Sequence, residues 1–181
     1  MNRTAFRRLA ATAAVAVALC ASSALALPSL GAARPAVRLV DGWERTLDLS
    51  SLGTKPVLVV YEDKDSSAQN QPFKDELSRL AKGDRYKSSI ALVAIADVGG
   101  YDYWPVRGFV KDAIREQSRK FGTVIFCDWD GTARTALGVK RGVSTVLLYG
   151  KDGKVLFANE GVMSPARRKE VIDLLRRQVD G

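Results

Sequence analysis

The chain has 181 residues, 46% of them hydrophobic, which is enough to bury one ordinary core and favours one domain. Its formal charge is +8, with two cysteines and no histidine, so no imidazole can serve as a general base. Its basic residues, notably Arg167, Arg168, Lys169, Arg176 and Arg177, are spread along helices without interleaved aromatics, which argues against nucleic-acid binding.

Residues 1–26 read as a signal peptide. Arg3, Arg7 and Arg8 form a basic start, residues 9–19 an apolar stretch, and Ala24-Leu25-Ala26 a small-x-small cleavage site. A membrane span needs about 20 uninterrupted apolar residues, and Ser22 and Ser23 cut this run short. Cys20 follows Leu19 rather than a small residue, which speaks against lipid attachment. Cleavage would remove three arginines and no acid, lowering the charge to +5, and would leave Cys127 alone. No intramolecular disulfide could then form, even in the oxidising compartment that export implies. The expected location is periplasmic or secreted, without stable membrane insertion after the leader is removed.

Residues 27–35 are rich in small residues and proline and are expected to be a mobile linker. Segments 37–40 and 43–49 flank Asp41-Gly42, a dipeptide that closes tight hairpins. Residues 57–61, Val-Leu-Val-Val-Tyr, form a continuous apolar run preceded by Gly53 and Pro56, as in a strand buried on both faces. Ser66 or Ser67 is expected to cap the next helix, with Phe73, Leu77 and Leu80 on its buried stripe and Gly83 at its end. A second buried strand covers 90–96, closed by Asp97 and Gly99-Gly100.

Tyr101, Tyr103, Trp104 and Pro105 lead into a helix with Val106, Phe109, Val110, Ala113 and Ile114 on one face, stopping near Gly122. Residues 123–127 are a third strand, and Asp128-Trp129-Asp130-Gly131 turns into a short helix that Gly138 ends. A fourth strand at 144–149 joins 155–158 through the turn Lys151-Asp152-Gly153-Lys154. The last helix is capped by Ser164 with Pro165 at its first position, and buries Val171, Leu174 and Leu175. Alternating strands and helices predict an α/β fold, a central sheet covered on both faces.

This order over residues 36–178 resembles the thioredoxin-like superfamily, and the leading hairpin resembles its TlpA-like and redoxin-like members. The resemblance implies a three-layer fold: a central mixed β-sheet, helices on both faces and an N-terminal β-hairpin. The runs YEDKDSS, YDYWP and CDWDG are similar to the YtfJ-type family of exported proteins, which brings little established chemistry. Where the superfamily carries Cys-x-x-Cys at a helix N-terminus, this chain has Ser66-Ser67-Ala68-Gln69. Where it carries a cis-proline, this chain has Ser144. A cis bond before a non-proline residue costs about 3 kcal/mol, so Ser144 is expected to be trans.

The sequence therefore points to a redox-inactive domain that binds an envelope protein or a small ligand, with no cofactor. Ser66, Ser67, Gln69, Tyr101, Tyr103, Trp104 and Ser144 are the candidate ligand-binding residues. The alternative is a single-cysteine oxidoreductase or peroxidase using Cys127, although Asp128 beside it opposes a thiolate. Asp63, Asp65, Asp97, Asp128 and Asp130 all follow strands, where ligands of open sheets bind; Asp63, Asp97, Asp128 and Asp130 are weak candidates for a Ca²⁺ or Mg²⁺ site. Aspartate is also a common way to leave a strand and cap a helix. Finally, residues 124–132 are similar to the first motif of haloacid-dehalogenase-type phosphatases, which would make Asp128 a nucleophile and Asp130 an acid/base. About fifty residues follow Thr132, with no later acidic pair closing a strand.

Overall fold

The computed structural model describes residues 26–82 and 84–181, so the expected leader falls almost wholly outside the described residues, as does Gly83. Seven strands form one sheet: β1 (Arg38–Asp41), β2 (Thr46–Asp48), β3 (Val57–Glu62), β4 (Ala91–Asp97), β5 (Ile125–Asp128), β6 (Thr145–Tyr149) and β7 (Val155–Glu160). Their order is β2-β1-β5-β4-β3-β6-β7. The helices are α1 (Gln71–Leu80), α2 (Asp84–Ser89), α3 (Val106–Phe121), α4 (Thr132–Leu137) and α5 (Pro165–Asp180). Strands β3, β4 and β5 run parallel, and β6 returns antiparallel beside β3. The strands expected near 57–61, 90–96 and 145–149 are thus neighbours.

β3 shows why its sequence is apolar without alternation. Val57, Val59 and Tyr61 enter one core with Leu137 and Val139. Leu58 and Val60 enter a second core with Phe73 of α1 and Val171, Ile172 and Leu175 of α5. A strand covered on both faces has no solvent side to mark with polar residues. The result is the expected three-layer α/β arrangement.

Several local expectations are corrected. The helix after β3 is not capped by Ser66 or Ser67; α1 starts at Gln71, with Pro72 in its first turn. Ser66 Oγ instead accepts from the Asp63 N–H, and the Asp63 carboxylate accepts from the Ser66 N–H and hydroxyl. Such short side chains offer the backbone an alternative to helix, whereas proline suits a first turn. The connection from β1 to β2 is longer than a two-residue turn. Asp41 accepts from the N–H groups of Trp43 and Arg45, and the positive φ falls on Glu44 rather than Gly42. Gly42 instead lies close against α3: a Cβ there would sit 3.3 Å from the Lys111 carbonyl oxygen, a tight contact.

Phe109 and Ala113 do not share the buried face of α3; both are exposed, Phe109 by 69%, while Val106, Val110 and Ile114 point inward. Residues 27–35, expected as a mobile linker, are tied to the start of β7 by backbone bonds at Gly31, Ala32 and Arg34. The short helix α2 has no counterpart in the sequence reading, and Arg85 pairs with Asp180 at 3.1 Å, joining it to α5.

Phe73 of α1 and Phe109 of α3 provide a test of this packing. Phe73 is fully buried and Phe109 is not. Phe73→Ala is expected to lower unfolding free energy by about 3–5 kcal/mol, and Phe109→Ala by no more than about 0.5 kcal/mol. Urea titrations of the two variants check the contrast.

Candidate functional site

The carboxyl ends of β3, β4 and β5 bring together a row of buried polar groups on one face of the sheet. Tyr61 Oη lies 2.9 Å from Oδ2 of both Asp97 and Asp128. Its single proton serves one carboxylate at a time. Burial, reinforced by the two carboxylates, pushes the Tyr61 phenol far above its ordinary range. Asp97 also accepts from Arg134 Nη1 at 3.0 Å, from Arg141 Nε at 3.1 Å, and from the Gly99 N–H. Burial works against its charge, yet Arg141, Tyr61 and Gly99 together hold its carboxyl below the usual range. Asp128 accepts from the N–H groups of Ala133 and Arg134, which closes the first turn of α4.

The acids do converge, then, but guanidinium and amide groups occupy their oxygens. Among the described residues no cluster of three or more metal-ligating side chains occurs. Asp63 faces Ser66 and the Gly142 N–H, and burial notwithstanding, those bonds keep its carboxyl low. Asp130 sits at the surface, where it accepts from the Thr132 N–H. Asp128 and Asp130 are therefore helix-start residues rather than a nucleophile and its acid. Their strand β5 lies between β4 and the antiparallel hairpin strand β1, not at the centre of a parallel sheet.

A second set of bonds joins three loops beside this row. The Ser144 hydroxyl donates to Glu62 Oε1 at 2.7 Å and accepts from Asn70 Nδ2 at 2.9 Å. The Ser144 N–H donates to Gln69 Oε1 at 3.0 Å. Asn70 also donates to the Gly161 carbonyl and accepts from the Met163 N–H. Glu62 is held in turn by Lys74 of α1 at 3.0 Å. Ser66, Asn70 and Ser144 are buried, and the Val143–Ser144 bond is trans. Ser66 and Ser144, both candidate ligand-binding residues from the sequence, are thus buried within this joint. Ser67 is exposed and bonded to the Lys64 carbonyl, and Gln69 is half-buried and committed to Ser144.

Cys127 lies in β5 between β1 and β4 and is 5% exposed. Burial, with the Asp41 carboxylate adding to it, pushes the thiol up to about 11. The aromatic segment is the open part of this end of the molecule: Tyr101 is 39%, Tyr103 58% and Trp104 92% exposed. It is tied to the charged row through Gly99, where an added Cβ would lie 2.6 Å from Arg141 Nη2. Arg107 stacks on Trp129 at 4.5 Å beside it.

Residues 62–178 match the family described as "Bacterial protein of unknown function (YtfJ_HI0045)". The chain belongs to that family. No curated protein matches it. Among solved structures it is similar to a putative thiol:disulfide interchange protein DsbE from Chlorobium tepidum, with 19% identity, a TM-score of 0.59, and 85% of this chain and 99% of that one covered. A thiol peroxidase from Chromobacterium violaceum gives 15% identity, a TM-score of 0.58, and coverage of 84% and 88%. A peroxiredoxin-like protein from Aquifex aeolicus gives 11% identity, a TM-score of 0.61, and coverage of 85% and 90%. These likenesses establish the thioredoxin-like fold. Tyr61, Glu62, Asn70, Arg134 and Arg141 carry the centre of this polar arrangement, and none of the five was a candidate from the sequence. Tyr61 and Glu62 ended a strand, Asn70 stood in a polar loop, and no spacing linked the arginines to Asp97.

The lowered Asp63 and Asp97 carboxyls set a pH dependence. Their stabilisation is complete above the unfolded carboxylate value of about 3.9 and is lost as pH falls through the lower folded values. With no histidine in the chain, melting temperature is expected to stay nearly flat from about pH 6 to 8 and to fall below about pH 4. Asp97→Asn, which removes the charge facing Arg134 and Arg141, is expected to cost about 3 kcal/mol at neutral pH; calorimetry across the pH range checks both.

Proposed function

We propose that this protein is an exported binding module: a thioredoxin-like scaffold that carries out no thiol–disulfide exchange and engages an envelope partner through the rim bearing Tyr101, Tyr103 and Trp104. The observation that carries the reading is the closed joint at Ser144. Dithiol chemistry on this fold needs an accessible sulfur at the segment occupied by Ser66-Ser67-Ala68-Gln69 and an open loop facing it. In this chain Gln69, Asn70 and Glu62 fill that interval and bond to Ser144. The remaining sulfur, at Cys127, is buried and its thiol is raised, which disfavours a nucleophilic thiolate. A mixed disulfide would also lack a second thiolate to resolve it.

Several features support export and a peripheral life. They are the basic, apolar and small-x-small order of residues 1–26, and the absence among the described residues of a helix able to cross a membrane. The rim supports partner binding, because tyrosine and tryptophan supply large contact area at small entropic cost and dominate binding hot spots.

Insulin reduction and peroxide consumption test the first half. Wild type and Cys127→Ser are expected to give equal, background rates; wild-type activity that vanishes in the serine variant would establish the single-cysteine enzyme instead. The second half is read by placing a photo-cross-linking residue at position 104 or, as a control, at exposed position 162 in cells. An adduct specific to 104 is expected. Trp104→Ala should then weaken binding to that partner by about 2 kcal/mol while leaving the melting temperature within about 1 °C; labelling that is equal at the two positions would remove the rim from the reading.

A further inference from the structure

The end of the sheet opposite the aromatic rim gathers cations. β3 enters the sheet at Val57 and leaves it at Glu62, beside the Asp97 row. Val57 pairs with Tyr149 as the outermost rung of the β3–β6 ladder, and Lys55 and Lys151 each stand two residues beyond that rung. The turn after β6 brings in Lys154: its carbonyl accepts from the Gly150 N–H, and it bridges to Ala33. Arg34, next in the chain, donates through its N–H to the Gly153 carbonyl and through Nη2 to the Gly53 carbonyl at 3.0 Å. The last turn of α5 adds Arg177, which lines an open depression together with Lys151. Gln178 beside it accepts from the Lys151 N–H at 3.1 Å.

Little opposes these charges. Toward the rim, Arg107, Arg134, Lys140 and Arg141 each contact a carboxylate. Among the described residues, none of Arg34, Lys55, Lys151, Lys154 and Arg177 forms an ion pair. Segments 31–34, 53–56 and 150–154 contain one acid, Asp152, whose carboxylate accepts from the Lys154 N–H. Asp180, three residues after Arg177, is taken by Arg85 at 3.1 Å. Lys55, Lys151, Lys154 and Arg177 are exposed, and Arg34 is half-buried. Like charges collected on one end repel one another, and a partner of opposite charge relieves that repulsion.

We propose that this end docks on an anionic lipid bilayer, with phospholipid headgroups as its partner. Its charges suit a headgroup layer better than a single soluble anion. Three of them are lysines, mobile point charges, and they sit on separate loops rather than converging on an enclosed pocket. The attachment is electrostatic and reversible, with no segment inserted. Docked this way, the domain turns Tyr101, Tyr103 and Trp104 away from the bilayer, toward the compartment where their partner is met. The inference rests on the export reading above, which places the chain beside such a surface.

The test uses protein exported with its own leader and purified after processing, in sedimentation with lipid vesicles. Vesicles of phosphatidylglycerol and phosphatidylcholine in equal parts are expected to bind it, and phosphatidylcholine vesicles are not. Added salt should weaken the binding by screening. Each lysine near an anionic bilayer raises affinity by about fivefold. Lys55→Gln, Lys151→Gln and Lys154→Gln together are therefore expected to lower it by about a hundredfold, with the melting temperature reporting that the variant is folded. Lys64→Gln, Lys140→Gln and Lys169→Gln remove the same charge toward the rim end and should cost far less. A retained leader would overturn the export reading and the inference together. Four results with processed protein would overturn the inference alone: no binding to the anionic vesicles, equal binding to both kinds, equal loss in the two triple variants, or binding of inorganic polyphosphate in place of vesicles. The last of these would reassign the cations to a soluble anion.

Discussion

A buried negative charge at Asp97 organises this end of the molecule. Taking a carboxylate out of water costs several kcal/mol unless partners replace its hydration. Asp97 draws those partners from four places: the Tyr61 hydroxyl of β3, Arg134 of α4, Arg141 of the following loop, and the N–H of Gly99. Each of these belongs to a different segment, so satisfying one charge sets the position of all of them. The aromatic rim follows β4 after Gly99, whose backbone lies against Arg141.

Beside this charged row, the joint at Ser144 is closed by side-chain hydrogen bonds. A thiol at such a place must stay accessible and be stabilised as an anion. Serine, asparagine and glutamine do the opposite: they are neutral and short, and they bond readily to backbone. Asn70 alone joins Ser144, Gly161 and Met163, so three loops that could otherwise separate become one surface. Glu62 accepts from Ser144 while its other oxygen pairs with Lys74, which keeps its charge compensated. The exposed large side chains at this end are the aromatic ones of Tyr101, Tyr103 and Trp104.

Much of the architecture was legible in the residues themselves. The apolar runs of β3 and β4, the glycine in left-handed conformation closing α3, and the Ser164–Pro165 start of α5 all act through local backbone and burial preferences. So did the loss of the cysteine pair and of the proline at position 144, and the burial of Cys127. The reading of the candidate site was less faithful. Asp63, Asp97 and Asp128 could be placed at strand ends, but whether cations of metal or of arginine would meet them could not.

That choice, and the others like it, belonged to the tertiary structure. Tyr61 meets Asp97 and Asp128 across sequence separations of 36 and 67 residues, and Asn70 meets Met163 across 93. Ser66 turned from a helix cap into a partner of Asp63 because Pro72 offered the helix a later start. Phe109 turned outward because Val106, Val110 and Ile114 already filled the side of α3 that the sheet could cover. Periodicity and capping are set by neighbours within a few residues, and the sequence displays those directly. Which side chain answers a buried charge depends on which distant segments the strand order brings alongside it, and only the folded sheet decides that.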